Sequence, residues 1–280
     1  MKYYIYHKSI IICSVSSFFL LTNCNNNKKT SENYNQSDNI ISPYIINYVM
    51  VHNYPHDTTS FTEGLLVYNG DLYESTGSPD ELPQTKSIVG IVDLKTGKIS
   101  NKIELDRYKY FGEGITVLDN KIYQLTYQSK IGFIYDLRTF KKIGKFFFPN
   151  KEGWGLTTDG HFLIMSDGTD VLTYIDPHTF KIIKTIRATE NNISITNINE
   201  LEFIDGYIYA NIYTTDYIIK IDTLSGNIVG KMDLNSLATE AKLTYKGSLE
   251  MNGIAYDSIS KRVYITGKFW PSIYEINFSH

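Results

Sequence analysis

The chain has 280 residues, is 14% aromatic with 23 tyrosines, holds 7 prolines, and carries a formal charge of −3. That length suits one large domain, often all-β, or two small ones, and the aromatic load favours strands over disorder. The near balance of charge, with no long basic run, argues against a nucleic-acid partner.

In chain order, Lys2 and Lys8 come first, then the apolar stretch "SIIICSVSSFFLL", which ends in Leu21-Thr22-Asn23-Cys24. The stretch is short for a membrane span and has the layout of an export signal. Its end resembles a bacterial lipoprotein signal, residues 1–23, after which Cys24 is the lipid attachment site and the mature N-terminus. Asn23 departs from the small residue usual before such a Cys, so ordinary secretory cleavage and an uncleaved anchor helix stay open. Cleavage removes Cys13, leaves one Cys and permits no internal disulfide. Residues 24–43 are polar and read as a flexible tether. The expected location is outside the cytoplasm, lipid-anchored on the periplasmic or cell-surface side of a bacterial membrane.

From residue 44 a unit recurs. Its openings are "EGLLVYNGDLYES" at Glu63, "EGITVLDNKIYQLTY" at Glu113, "WGLTTDGHFLIMSDG" at Trp154, "NELEFIDGYIYANIY" at Asn199 and "NGIAYDSISKRVYITGK" at Asn252, spaced 50, 41, 45 and 53 residues apart. Each has an apolar run, a turn such as "YNGD" or "FIDG", an alternating strand and a third strand; most add a fourth. Four short strands per unit of this length predict an all-β, five-bladed β-propeller over 44–280. The last unit stops after "SIYEINF", and "YIINYVMVHNY" (44–54) is a spare strand before the first unit. Pairing the two closes the ring and covers two edges. An open sandwich with similar hairpins is the alternative.

In a propeller the first strand of each blade lines the axis, so Glu113, Trp154, Asn199 and Asn252 converge at one mouth. Gly112 and Gly114 bracket Glu113 in "YFGEGITV" and let its backbone approach another surface or a ligand. Repeated turn chemistry explains the glycines but not why the openings differ as Glu, Trp and Asn. Other candidates are weaker. His52, His56 and Asp57 in "HNYPHD" have poor metal spacing and read as a structural loop. Asp167 and Asp170 in "SDGTD" offer oxygens to a structural Ca²⁺ but lack EF-hand spacing. Neither a phosphate-binding glycine loop nor a "GxSxG" elbow is present.

A series of blocks runs in order through the domain, among them "FTEGL" (61–65), "YFGEGIT" (110–116), "YQLTY" (123–127), "EGWGLTTDG" (152–160), "NINELE" (197–202), "IYANIY" (208–213), "MNGIAYD" (251–257) and "ITGKFWP" (265–271). They closely resemble the glutamine cyclotransferases, the plant and bacterial type of glutaminyl-peptide cyclase. The resemblance implies a five-bladed propeller that closes an N-terminal glutamine of a peptide into pyroglutamate and releases ammonia, without a catalytic metal or cofactor. It implies Glu113 as the acid–base residue and Asn199 and Lys268 as polar groups around the reacting amide. Phe61, Glu63, Phe111, Tyr127, Trp154 and Tyr213 would bind substrate. Three positions depart: Glu63 replaces a frequent Gln, and Tyr127 and Tyr213 replace Trp. Glu63 near Glu113 would raise one of the two pKa values by like-charge repulsion.

The chemistry makes three demands: the α-amine must lose a proton, the developing oxyanion needs hydrogen-bond donors, and the leaving nitrogen must gain a proton. One carboxylate can relay the proton, a service typically contributing about 10²–10⁴-fold. A non-catalytic propeller that binds peptide N-termini is the second reading, and a metal-dependent propeller hydrolase the third. A propeller closes without a partner, so a monomer is the default.

Overall fold

The computed structural model describes residues 43–280. Five sheets of four or five strands follow one another around a ring. Blade 1 is Thr62–Tyr68, Asp71–Thr76, Ile88–Asp93 and Lys98–Glu104. Blade 2 is Gly112–Leu118, Lys121–Thr126, Ile131–Asp136 and Lys142–Phe147. Blade 3 is Leu156–Thr158, Leu163–Met165, Val171–Ile175 and Ile182–Arg187. Blade 4 is Ile198–Ile204, Tyr207–Ile212, Tyr217–Asp222 and Ile228–Asp233. Blade 5 is Met251–Asp257, Arg262–Gly267 and Ser272–Phe278, with Tyr48–Pro55 as its outermost strand.

Local sequence explains the hairpins. Asn69 and Gly70 take φ of 52° and 84°, and Asp205 and Gly206 take 46° and 90°. Two successive left-handed residues make the tight turn that suits twisted strands, and Asn, Asp and Gly tolerate it best. Asp93, Asp136 and Asp222 end the third strand of blades 1, 2 and 4, Asp176 directly follows that of blade 3, and each accepts a backbone N–H two or three residues on, at 2.7–2.9 Å. Burial runs from the axis outward: Gly112–Leu118 is wholly buried, while Lys142–Phe147 is mostly exposed. The core lies between blades. Leu66, Tyr73 and Val89 meet Ile115, Ile122 and Phe133 across one seam. Leu65, Leu72 and Val92 meet Ala255, Tyr264 and Ile273 across the seam between last and first blades.

Two features differ from the sequence reading. Residues 44–54 are not one strand. Tyr44–Ile45 runs parallel to Ile228–Asp233 of blade 4, and Tyr48–Pro55 runs antiparallel to Ser272–Phe278 of blade 5. Ile46, which follows the first of these strands, is buried over Gly230, where a Cβ would stand 2.7 Å from Ile46 Cδ1. A helix, Asn235–Thr244, also lies between blades 4 and 5 and buries Leu237 and Ala241 in one cluster with Trp270 and Tyr274. Only those two side chains of the helix are buried, too few for a clear 3.6-residue pattern.

Candidate functional site

Four innermost strands break register near their starts: between Thr62 and Gly64, Gly112 and Ile115, Ile198 and Leu201, and Met251 and Ile254. A bulge leaves a residue out of the ladder and re-aims its side chain. The displaced residues include Glu63, Glu113, Asn199 and Asn252, the openings of four repeats. The glycines beside them press on the next blade. A Cβ on Gly114 would lie 2.5 Å from Leu156 N, and one on Gly155 would lie 2.1 Å from Asn199 O. Gly114 N donates to Trp154 O at 2.8 Å. The glycines around Glu113 therefore serve blade contact, and the acid is carried to the mouth between two such contacts.

There the structure forms a cavity of about 220 Å³. Glu63, Glu113, Asn199 and Lys268 supply its polar side. Phe61, Phe111, Tyr127, Trp154 and Tyr213 supply aromatic walls, so all nine pocket residues named from the sequence meet in one place. Pro79 also lines it and carried no sequence signal beyond a turn. Asn252 does not line it. It stands behind, donating from Nδ2 to Glu63 Oε2 at 2.9 Å and to Thr62 O at 3.0 Å. Cys24 lies outside the described residues.

The polar groups have little water. Glu63, Glu113, Asn199 and Lys268 are each at most 5% exposed. Lys268 Nζ donates to Glu63 Oε1 at 2.7 Å and lies 4.3 Å from the centre of the Phe61 ring. Burial pulls the Lys268 pKa down, but the charges of Glu63 and Glu113 outweigh it and hold the ammonium protonated. Burial pushes Glu63 up to about 7, with Lys268 and Asn252 opposing. Glu113 is raised well above the usual carboxylate range, first by desolvation and then by the charge of Glu63, with Lys268 opposing. Asn199 Oδ1 is buried without a partner. Such an atom carries a desolvation penalty that a bound donor relieves.

The walls are braced by one another and, at Trp154, from behind. Trp154 Nε1 donates to Glu152 Oε2 at 3.0 Å, and its ring meets Tyr213 edge-on at 5.7 Å. Gly168, at φ 78°, lets the backbone run beneath the indole, since a Cβ there would be 2.7 Å from Trp154 Cζ2. Phe61 meets Phe111 edge-on at 6.1 Å, and Phe111 lies 5.8 Å from Tyr127.

The remaining candidates serve structure. His56 Nε2 sits 3.1 Å from both oxygens of Glu74, and its Nδ1 is 2.8 Å from Trp270 O. Asp57 caps a turn through Thr59. Asp167 does the same through Thr169, and Asp170 pairs with Arg187 at 2.7 Å. Among the described residues no group of three or more His, Cys, Asp or Glu side chains has the geometry to hold a metal ion. Sequence reasoning passed over Glu200, whose oxygens accept from Leu65 N at 3.2 Å and Ile254 N at 2.8 Å, tying blade 4 to blades 1 and 5. The "NELEF" alternation was the available signal, since it sets acids on an inner strand.

Fold and pocket together define an enzyme-type β-propeller with a water-poor acidic site at one mouth of the ring. A sequence profile described as glutamine cyclotransferase matches residues 18–278. A glutaminyl-peptide cyclotransferase of Arabidopsis thaliana is 39% identical over 229 residues, which is 81% of this chain and 70% of the relative. The crystal structure of Myxococcus xanthus glutaminyl cyclase matches with a TM-score of 0.76 at 28% identity, covering 85% of this chain and 99% of the other. The chain belongs to the glutamine cyclotransferase family.

Proposed function

We propose that the protein is a glutaminyl-peptide cyclotransferase that converts an N-terminal glutamine to pyroglutamate and releases ammonia. The observation that carries this reading is a desolvated Glu113 in an aromatic cavity of about 220 Å³ that also holds Asn199, whose Oδ1 is an unpartnered acceptor ready for a substrate N–H while its Nδ2 remains the donor. The aromatic walls fold the glutamine side chain back on its own α-amine. Holding an intramolecular attack near its reactive geometry can supply about 7–11 kcal/mol in favourable systems. The α-nitrogen bonds to the γ-carbonyl carbon, and the bond to the amide nitrogen breaks. Glu113 relays the proton from the attacking to the departing nitrogen. A carboxyl lifted by burial suits this task, because free α-amines titrate near about 7.7–8.0. Asn199 and Lys268 donate to the amide oxygen as it gains charge; losing one such donor typically costs about 10²–10³ in rate.

Every charge in this scheme is handled by side chains, so the reaction is read as metal-independent, and a chelator should leave the rate unchanged. A coupled ammonia assay on a glutamine-initiated dipeptide tests the activity directly. Saturable peptide binding without ammonia would instead mark a non-catalytic receptor for peptide N-termini. The domain is read as an exported monomer, tethered by residues 24–43 to a lipid on Cys24. Labelling with a radioactive fatty acid should mark the protein and should be lost in Cys24→Ser.

A further inference from the structure

We propose that Glu63 decides the charge state of Glu113: of these two neighbouring acids, Glu63 carries the negative charge and Glu113 the proton in the resting site. The proposal rests on the cyclisation reading and adds to it a residue that works through another.

The contacts of Glu63 are lopsided in its favour. Its Oε1 takes the ammonium of Lys268 at 2.7 Å, and its Oε2 takes the amide of Asn252 at 2.9 Å. Hydrogen bonds to both oxygens, one from a cation, favour the ionised form. Glu113 receives neither of these bonds. The charged groups facing it are Glu63 from blade 1, Lys268 from blade 5 and Glu152 from the segment before blade 3. Tyr127 of the cavity wall also faces Glu113, and Glu250 is the further acid facing Glu63. Two acids in a dry cavity with one cation cannot both ionise cheaply. The cation sits on Glu63, so the proton stays on Glu113, and the resting cavity is close to neutral.

In turnover Glu113 then gives its proton to the departing nitrogen and regains one from the attacking nitrogen. It enters and leaves each cycle protonated. Glu63 forms and breaks no bond. It holds Lys268 in place and keeps the proton affinity of Glu113 high, which makes it a positioning residue.

Two measurements test this. The first is the carboxyl C=O infrared band that disappears in Glu113→Gln, which reads protonation without turnover. The second is the pH profile of kcat/KM for ammonia release from a glutamine-initiated dipeptide. In Glu63→Gln the negative neighbour is gone and Lys268 faces Glu113 alone. The Glu113 band should titrate away about 1–3 pH units lower, the size of shift expected for an opposite charge at close range. The flank of the pH profile that does not follow the substrate's own amine should move down with it. An unmoved band and flank would overturn the proposal. So would a wild-type band that survives Glu113→Gln and vanishes in Glu63→Gln. Should Glu63→Gln fail to fold by thermal melting, Glu113→Gln decides: Glu63 should ionise at the same pH as in wild type, because the neighbour removed was uncharged, and a clear shift sinks the idea. If wild-type protein releases no ammonia, the cyclisation reading alone fails, and the infrared titration still settles the charge assignment.

Discussion

Glu113 gains its character from its neighbours. An exposed Glu titrates near about 4.3, whereas this one is pushed well up because the aromatic walls and Glu63 both oppose ionisation. Replacing it with Gln keeps shape and removes the relay, so ammonia release should fall by about 10²–10⁴-fold with the melting temperature little changed. Retained activity in a pure Glu113→Gln sample would remove it from the mechanism. Trp154→Ala should instead act on binding: losing one buried aromatic face is worth about 1.5–3 kcal/mol, or roughly ten- to hundredfold in kcat/KM. Residue types at this scale were legible in the sequence. The pairing of Lys268 with Glu63 was not, because 205 residues separate them along the chain.

At the scale of elements, the bulge at the start of four of the five inner strands is the device that makes a site from a scaffold. Hydrogen-bond register cannot be read from residue order, since a bulge and a regular strand can share one sequence pattern. Gly114 shows the constraint. A methyl group there would press within 2.5 Å of Leu156 N and 2.6 Å of Trp154 O, both backbone atoms that cannot step aside. Gly114→Ala should therefore cost about 1–3 kcal/mol of stability and lower turnover as well, because the same shift moves Glu113. Thermal melts and the ammonia assay, run on one sample, separate the two effects. The outer strand Tyr48–Pro55 matters for a different reason. Removing residues 43–55 leaves blade 5 with three strands and an open edge, and the truncated chain should melt earlier and aggregate.

At the scale of the whole molecule, the axis is tied by two acids of one inner strand, Glu200, which is buried, and Glu202, which is partly buried and accepts from Tyr256 N at 2.8 Å. Glu200 is raised well above its usual range, chiefly by desolvation, and Glu202 is pushed up to about 8 by the same cause. A carboxyl whose pKa is raised on folding binds its proton more tightly in the native state. Its contribution is complete below about pH 4.3 and is lost as pH rises through the folded pKa. The melting temperature should thus fall between pH 5 and pH 8. Glu202→Gln, a neutral copy of the protonated acid, should flatten that slope, with a gain at pH 8 of about 1 kcal/mol, kept small because its side chain still meets solvent. An equally steep fall in the variant would show that another group sets the slope.

The amino-acid order alone determined the repeat, the number of blades and the hairpin turns, because each depends on short-range periodicity and turn chemistry; the repeat openings also placed Glu113, Trp154 and Asn199 at the pocket, while its other residues were named through the resemblance to the family. Tertiary structure decided the rest: the bulges that aim Glu63, Glu113 and Asn199, the split of residues 44–54 between two blades, the helix against Trp270, and the proximity of two acids to one lysine. Those features arise where blades meet around an axis, and contact across that distance leaves no local trace in the chain.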